Sequence, residues 1–71
     1  MHIQVNGEPR QVREEINVTG LLQDLQLNVE RVAVEINLEI LDQRDFDARM
    51  LQEGDRIEIM SFIGGGTSPY L

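Results

Sequence analysis

One segment of this chain has the apolar spacing of a helix. In NVTGLLQDLQL, residues 17–27, Val18, Leu21, Leu22 and Leu25 fall at i, i+3, i+4 and i+7, a single helical face. The stretches before and after it alternate apolar with polar residues, the period of a strand with one face buried. One amphipathic helix among several strands implies an α+β architecture, with the helix laid on one face of a sheet. The spacing predicts a helix over 18–27, with Asn17 as its N-cap and Asn28 as a left-handed stop. Gly20 weakens its first turn by roughly 1 kcal/mol relative to Ala.

The strands follow from local signals. HIQVNGEPRQVRE alternates on both sides of Asn6-Gly7, a pair that tolerates the positive φ of a tight hairpin turn. This predicts strands near 2–6 and 9–13. Pro9 cannot donate to a ladder, which confines it to the start of its strand or to a sheet edge. In RVAVEIN, Val32, Val34 and Ile36 point inward, Ala33 and Glu35 outward, and Asn37 turns the chain. A short strand at 38–41 and a loop or single helical turn follow, with Phe46, Met50 and Leu51 expected to anchor the segment in the core. Gly54 makes the QEGD turn, and RIEIMSFI is the last strand, with Ile57 and Ile59 inward. Glu58, Met60 and Phe62 then share the opposite face, where an apolar patch without a core role suggests a partner-binding surface. The order is β-β-α-β-β-β.

Composition narrows the function. Seventy-one residues make one domain with a small core. The absence of cysteine excludes disulfides, thiolate metal sites and cysteine nucleophiles, and favours a reducing, cytoplasmic setting. The net charge of −7 is the wrong sign for a nucleic-acid binder. No stretch is long and apolar enough for a membrane span, and no signal peptide opens the chain. All six basic residues are arginine, so no side-chain amine is available on this chain for a Schiff base or an isopeptide bond. His2, the sole histidine, has no nucleophile beside it, and Asp42, Asp45, Asp47 and Glu53 lack the order of a calcium loop. We expect no catalytic residue, no metal site and no bound cofactor.

The chain closes on FIGGGTSPYL. Three consecutive glycines lose the most backbone entropy on ordering and do not belong in a core strand. Residues 1–63 are expected to fold and 64–71 to form a flexible tail. In its ordered set of features the chain resembles the ThiS family of sulfur carriers. These features are the Leu-Leu-x-x-Leu helix, Ala33-Val34-x-Ile36-Asn37, Arg44 shortly after Ile40, Leu51-x-x-Gly54-Asp55, an alternating last strand and a closing Gly-Gly. The resemblance covers residues 1–66.

The resemblance implies a ubiquitin-like β-grasp fold: a mixed sheet of four to five strands, one helix on one face, first and last strands side by side, and a Gly-Gly tail. It also implies that the chain is a carrier rather than an enzyme. An E1-like, ThiF-type adenylyltransferase would use ATP to adenylate the carboxylate of Gly66. A sulfur donor enzyme would convert the acyl adenylate to a thiocarboxylate, and a thiazole synthase would accept the sulfur for thiamine. Gly64 and Gly65 would let the tail thread a narrow channel, since five residues from Phe62 to Gly66 extend at most ~18 Å. The family ends at Gly-Gly, whereas Thr67–Leu71 follow here. A processing protease would have to remove them, unless the extension is vector-derived or inert. Arg44, at a position where the family is basic, would pair locally or with a partner carboxylate. A small subunit of molybdopterin synthase, a ubiquitin-like protein modifier and a β-grasp interaction module remain alternatives.

Overall fold

The computed structural model of the protein describes residues 1–61; the expected tail, Gly64–Leu71, and Phe62 lie outside the described residues. The described chain forms β1 (His2–Val5), β2 (Glu8–Gln11), α1 (Val18–Asp24), β3 (Val32–Ile36), β4 (Glu39–Leu41) and β5 (Arg56–Ser61), with short 3-10 turns at Val29–Arg31 and Gln43–Asp45. The strands make one sheet in the order β2-β1-β5-β3-β4. β1 and β5 are parallel neighbours at its centre, with Val5 opposite Ile57, and every other pairing is antiparallel. This is the ubiquitin-like β-grasp arrangement.

The helix face and the inward strand residues meet as expected. Val18, Leu21 and Leu22 are buried with Ile3, Val34, Ile36 and Ile57, and Phe46 and Leu51 close the core from the long connection. Met50 does not join them, being 43% exposed. The backbone around it does the anchoring instead: the Val18 N–H donates to Arg49 and the Leu51 N–H to Ile16, which leaves the Met50 side chain outward.

The first hairpin is tighter than its sequence spacing suggested. Asn6 and Gly7 both take positive φ, so Val5 pairs with Glu8 and β2 spans 8–11 rather than 9–13. Pro9 lies on this edge strand, where its missing donor costs nothing. The helix starts where expected, because Asn17 Oδ1 accepts from the Gly20 N–H at 2.7 Å. Its end differs from the expected 27. Gln26 takes φ 59°, the Gln26 N–H donates to Gln23, and the Leu27 N–H donates to Leu22. That is a Schellman stop, and it returns Leu27 to the core after only seven helical residues. Asn28 is extended rather than left-handed, and it caps the 3-10 turn that follows. At the β3–β4 turn Asn37 and Leu38 both have positive φ, so β4 begins at Glu39 and Leu38 belongs to the turn. Among the described residues no helix is long and apolar enough to cross a membrane.

Candidate functional site

β5 carries the chain toward the glycines, so its two flanks and its open face form the setting of the tail. On one flank the backbone ladder with β1 stops at Val5 and Ile57. The Asn6 side chain continues it. Asn6 donates its N–H to the Ile57 carbonyl at 2.8 Å, and its Oδ1 accepts from the Ile59 N–H at 2.7 Å. A turn residue thereby replaces the next carbonyl of β1. On the other flank β3 accompanies β5 as far as Ser61, which lies opposite Val32.

The start of β5 is fixed by a buried carboxylate, Asp55. Its oxygens accept from the Gln52 N–H at 2.8 Å and from Asn37 Nδ2 at 3.0 Å, and Arg49 lies 3.3 Å away. Asn37 in turn brackets Arg56, accepting its N–H and donating to its carbonyl. The two motifs Ala-Val-x-Ile-Asn and Leu-x-x-Gly-Asp are thus physically joined through Asn37 and Asp55. Sequence reading assigned the second motif to Gly54 alone. A buried carboxylate with both oxygens accepting hydrogen bonds holds the strand in place.

The sheet face turned away from α1 is open. Along β5, Arg56, Glu58 and Met60 alternate with buried Ile57 and half-buried Ile59. Along β3, Ala33 and Glu35 alternate with buried Val32, Val34 and Ile36. The register sets Glu58 opposite Glu35 and Met60 opposite Ala33. It sets Ile40 of β4 opposite Glu35 on the other side. Ile40 is 81% exposed, Leu38 at the hairpin tip 88%, and Met60 40%. The structure therefore brings Glu58 and Met60 onto one face as expected and adds Glu35 and Ile40, which sequence reading missed, with Leu38 at the adjoining hairpin turn. Alternation had marked Glu35 as outward, but only the strand order reveals what lies beside it. Phe62 and Gly64, Gly65 and Gly66 lie outside the described residues.

The remaining polar residues have local roles. Arg44 pairs with Asp42 at 3.2 Å. The Arg44 N–H, then its side chain, hold the Asp42 carboxyl below its ordinary range, and the hydrogen bond to Asp42, then the charge of that carboxylate, pushes the Arg44 guanidinium up. His2 and Glu53 approach to 3.7 Å on the surface. Thr19 donates to Asp47. Among the described residues no group of three or more ligating side chains could hold a metal ion.

Comparison with known proteins agrees with this architecture. The sequence model of the ThiS family matches residues 3–66. The crystal structure of a thiamine biosynthesis protein, ThiS, from Geobacter metallireducens is 43% identical and superposes with a TM-score of 0.80. The match covers 93% of this chain and 100% of that one. The ycf40 protein of Porphyra purpurea is 41% identical over 64 residues, 90% of each chain. A thiazole synthase from Magnetococcus marinus is 42% identical over 69 residues, 97% of this chain. This chain spans only 21% of that synthase's length.

Proposed function

The chain belongs to the ThiS family, and on that footing we propose that it is a sulfur carrier for the thiazole of thiamine, acting through the carboxylate of Gly66. The observation that carries the reading is the family match, which runs unbroken through the fold and stops at residue 66, the last of the three glycines. The chemistry needs little from the carrier itself. A carboxylate resists substitution until it bears a good leaving group. In the proposed cycle a protease first hydrolyses the Gly66–Thr67 bond. The freed carboxylate attacks the α-phosphorus of ATP in a ThiF-type adenylyltransferase and pyrophosphate departs. A sulfur donor enzyme then supplies sulfur at the sulfide level, which attacks the acyl carbon, forms the C–S bond, breaks the C–O bond to AMP and leaves a thiocarboxylate. The carrier holds no catalytic residue; ATP and catalytic groups belong to its partners, and a reducing cytoplasm suits a cysteine-free chain of this kind.

Thiazole synthase is the proposed sulfur acceptor. Support comes from the Magnetococcus marinus relative, a thiazole synthase that matches this chain over 69 residues within a much longer polypeptide. Glu58, Met60 and Phe62 are the proposed partner-binding residues. Glu58 and Met60 lie on β5, and Phe62 and the glycines follow closely in the sequence, so a partner gripping the open face would also position the glycines.

The test uses a form ending at Gly66, mixed with a ThiF-type enzyme and ATP. The expected result is exchange of labelled pyrophosphate into ATP. With a sulfur donor present, the recovered carrier should gain the mass of one oxygen replaced by sulfur. Absence of exchange rejects the carrier reading. An amide adduct to a second protein in place of the thiocarboxylate would assign the chain to the protein modifiers.

A further inference from the structure

Glu35 and Glu58 sit directly opposite each other on the open face, and like charges in that relation destabilise a sheet. Neither carboxylate has a salt bridge among the described residues. No side chain from 62–71 can supply one, because that stretch contains no charged residue. Three arginines are engaged elsewhere, Arg13 with Asp24, Arg44 with Asp42 and Arg49 with Asp55. Arg56 lies on the same strand two residues before Glu58 and pairs with neither glutamate. The pair has apolar neighbours on two sides, Met60 and Ala33 toward the end of β5 and Ile40 across β3, while Arg56 precedes Glu58 on the same face. Leu38 at the adjoining turn is strained at φ 73° and fully out in solvent. An uncompensated acid pair flanked by an exposed isoleucine has no rationale in the stability of the isolated chain.

We propose that Glu35 and Glu58 together receive one cationic side chain, arginine or lysine, of the adenylating enzyme, beside an apolar rim of Met60, Ala33 and Ile40. The proposal rests on the carrier reading and adds the chemistry of the partner's contact. Charge complementarity selects the occupant. A second copy of this chain, at −7, would bring more acid to the face. A cation placed between the glutamates relieves their repulsion and is desolvated by the rim, so the pair is unfavourable when free and favourable when bound. That difference confers specificity against partners lacking the cation.

The variants are Glu35→Gln, Glu58→Gln and Glu58→Arg. In the full chain each should raise the urea midpoint, Glu58→Arg most, since it creates a cross-strand ion pair with Glu35. In the form ending at Gly66, calorimetry with the ThiF-type enzyme should show affinity reduced about tenfold by either Gln and further by Arg. The salt dependence of binding should flatten in the Gln variants. In pyrophosphate exchange the KM for the carrier should rise with kcat unchanged. If the variants bind and exchange like the parent, the proposal is overturned while the carrier reading stands. If the parent itself gives no exchange, the carrier reading falls and takes the proposal with it. Dimerisation in sedimentation that Glu58→Arg abolishes would assign the face to a second copy and also overturn the proposal.

Discussion

Asp55 is the residue on which the position of the last strand depends. Three donors converge on its buried carboxylate, and replacing it by alanine removes the acceptor of the Asn37 amide and the Gln52 N–H and the partner of Arg49. Asp55→Ala should therefore cost about 2–3 kcal/mol in chemical denaturation, the usual worth of hydrogen bonds to a charged group. Asp42 offers a second check, because its two stabilising contacts come from one neighbour. The Arg44 backbone N–H is the larger influence and the guanidinium the smaller. Arg44→Ala removes only the smaller, so an NMR titration should find the Asp42 pKa rising only part of the way toward its ordinary value. The sign of the linkage follows from the depression: the contact stabilises the turn above the ordinary carboxylate pKa, and that benefit is lost as pH falls through the lowered value. Asp42 is fully exposed, so the effect on overall stability is small.

The helix shows which elements are legible in a sequence. Its start was readable because Asn17 caps it through its own side chain. Its end was not, because the left-handed residue is Gln26, a residue type that does not announce that conformation. What places it there is the need to return Leu27 to the core, a tertiary demand. Gln26→Gly should remove the steric cost of the left-handed conformation and raise stability by about 1 kcal/mol, measured by the urea midpoint. Gly20 reverses the usual expectation. Helix propensity alone favours alanine there, yet a Cβ would meet Ile16 Cγ1 at 3.0 Å and Asn17 Oδ1 at 3.1 Å. Ile16 is fully buried and Asn17 is the cap, so neither yields easily. Gly20→Ala should bring no gain in midpoint and a loss if Ile16 cannot shift. The strands divide in the same way. Alternation identified the faces of β3 and β5, and so Glu58 and Met60. The neighbours Glu35 and Ile40 required the strand order, which depends on pairings between distant segments.

At the scale of the molecule, all thirteen acidic and six basic residues lie between 1 and 61, so the folded body carries the whole imbalance and the segment beyond carries no side-chain charge. Self-repulsion in a small body of charge −7 should make added salt stabilising. Raising sodium chloride from near zero to about 0.1 M, where screening acts over about 10 Å, should increase the urea midpoint despite weakening the surface ion pairs. The opposite trend would mean that those pairs outweigh the net charge. The central place of β5 has a further consequence during synthesis. β1 leaves the ribosome first, yet its inner neighbour in the sheet is the last described strand to be made. Until that strand arrives, β1 and β3 each present an open edge and the two hairpins have nothing to join them. The nascent chain therefore cannot complete its sheet until β5 itself has been made, and both hairpins wait on that one strand.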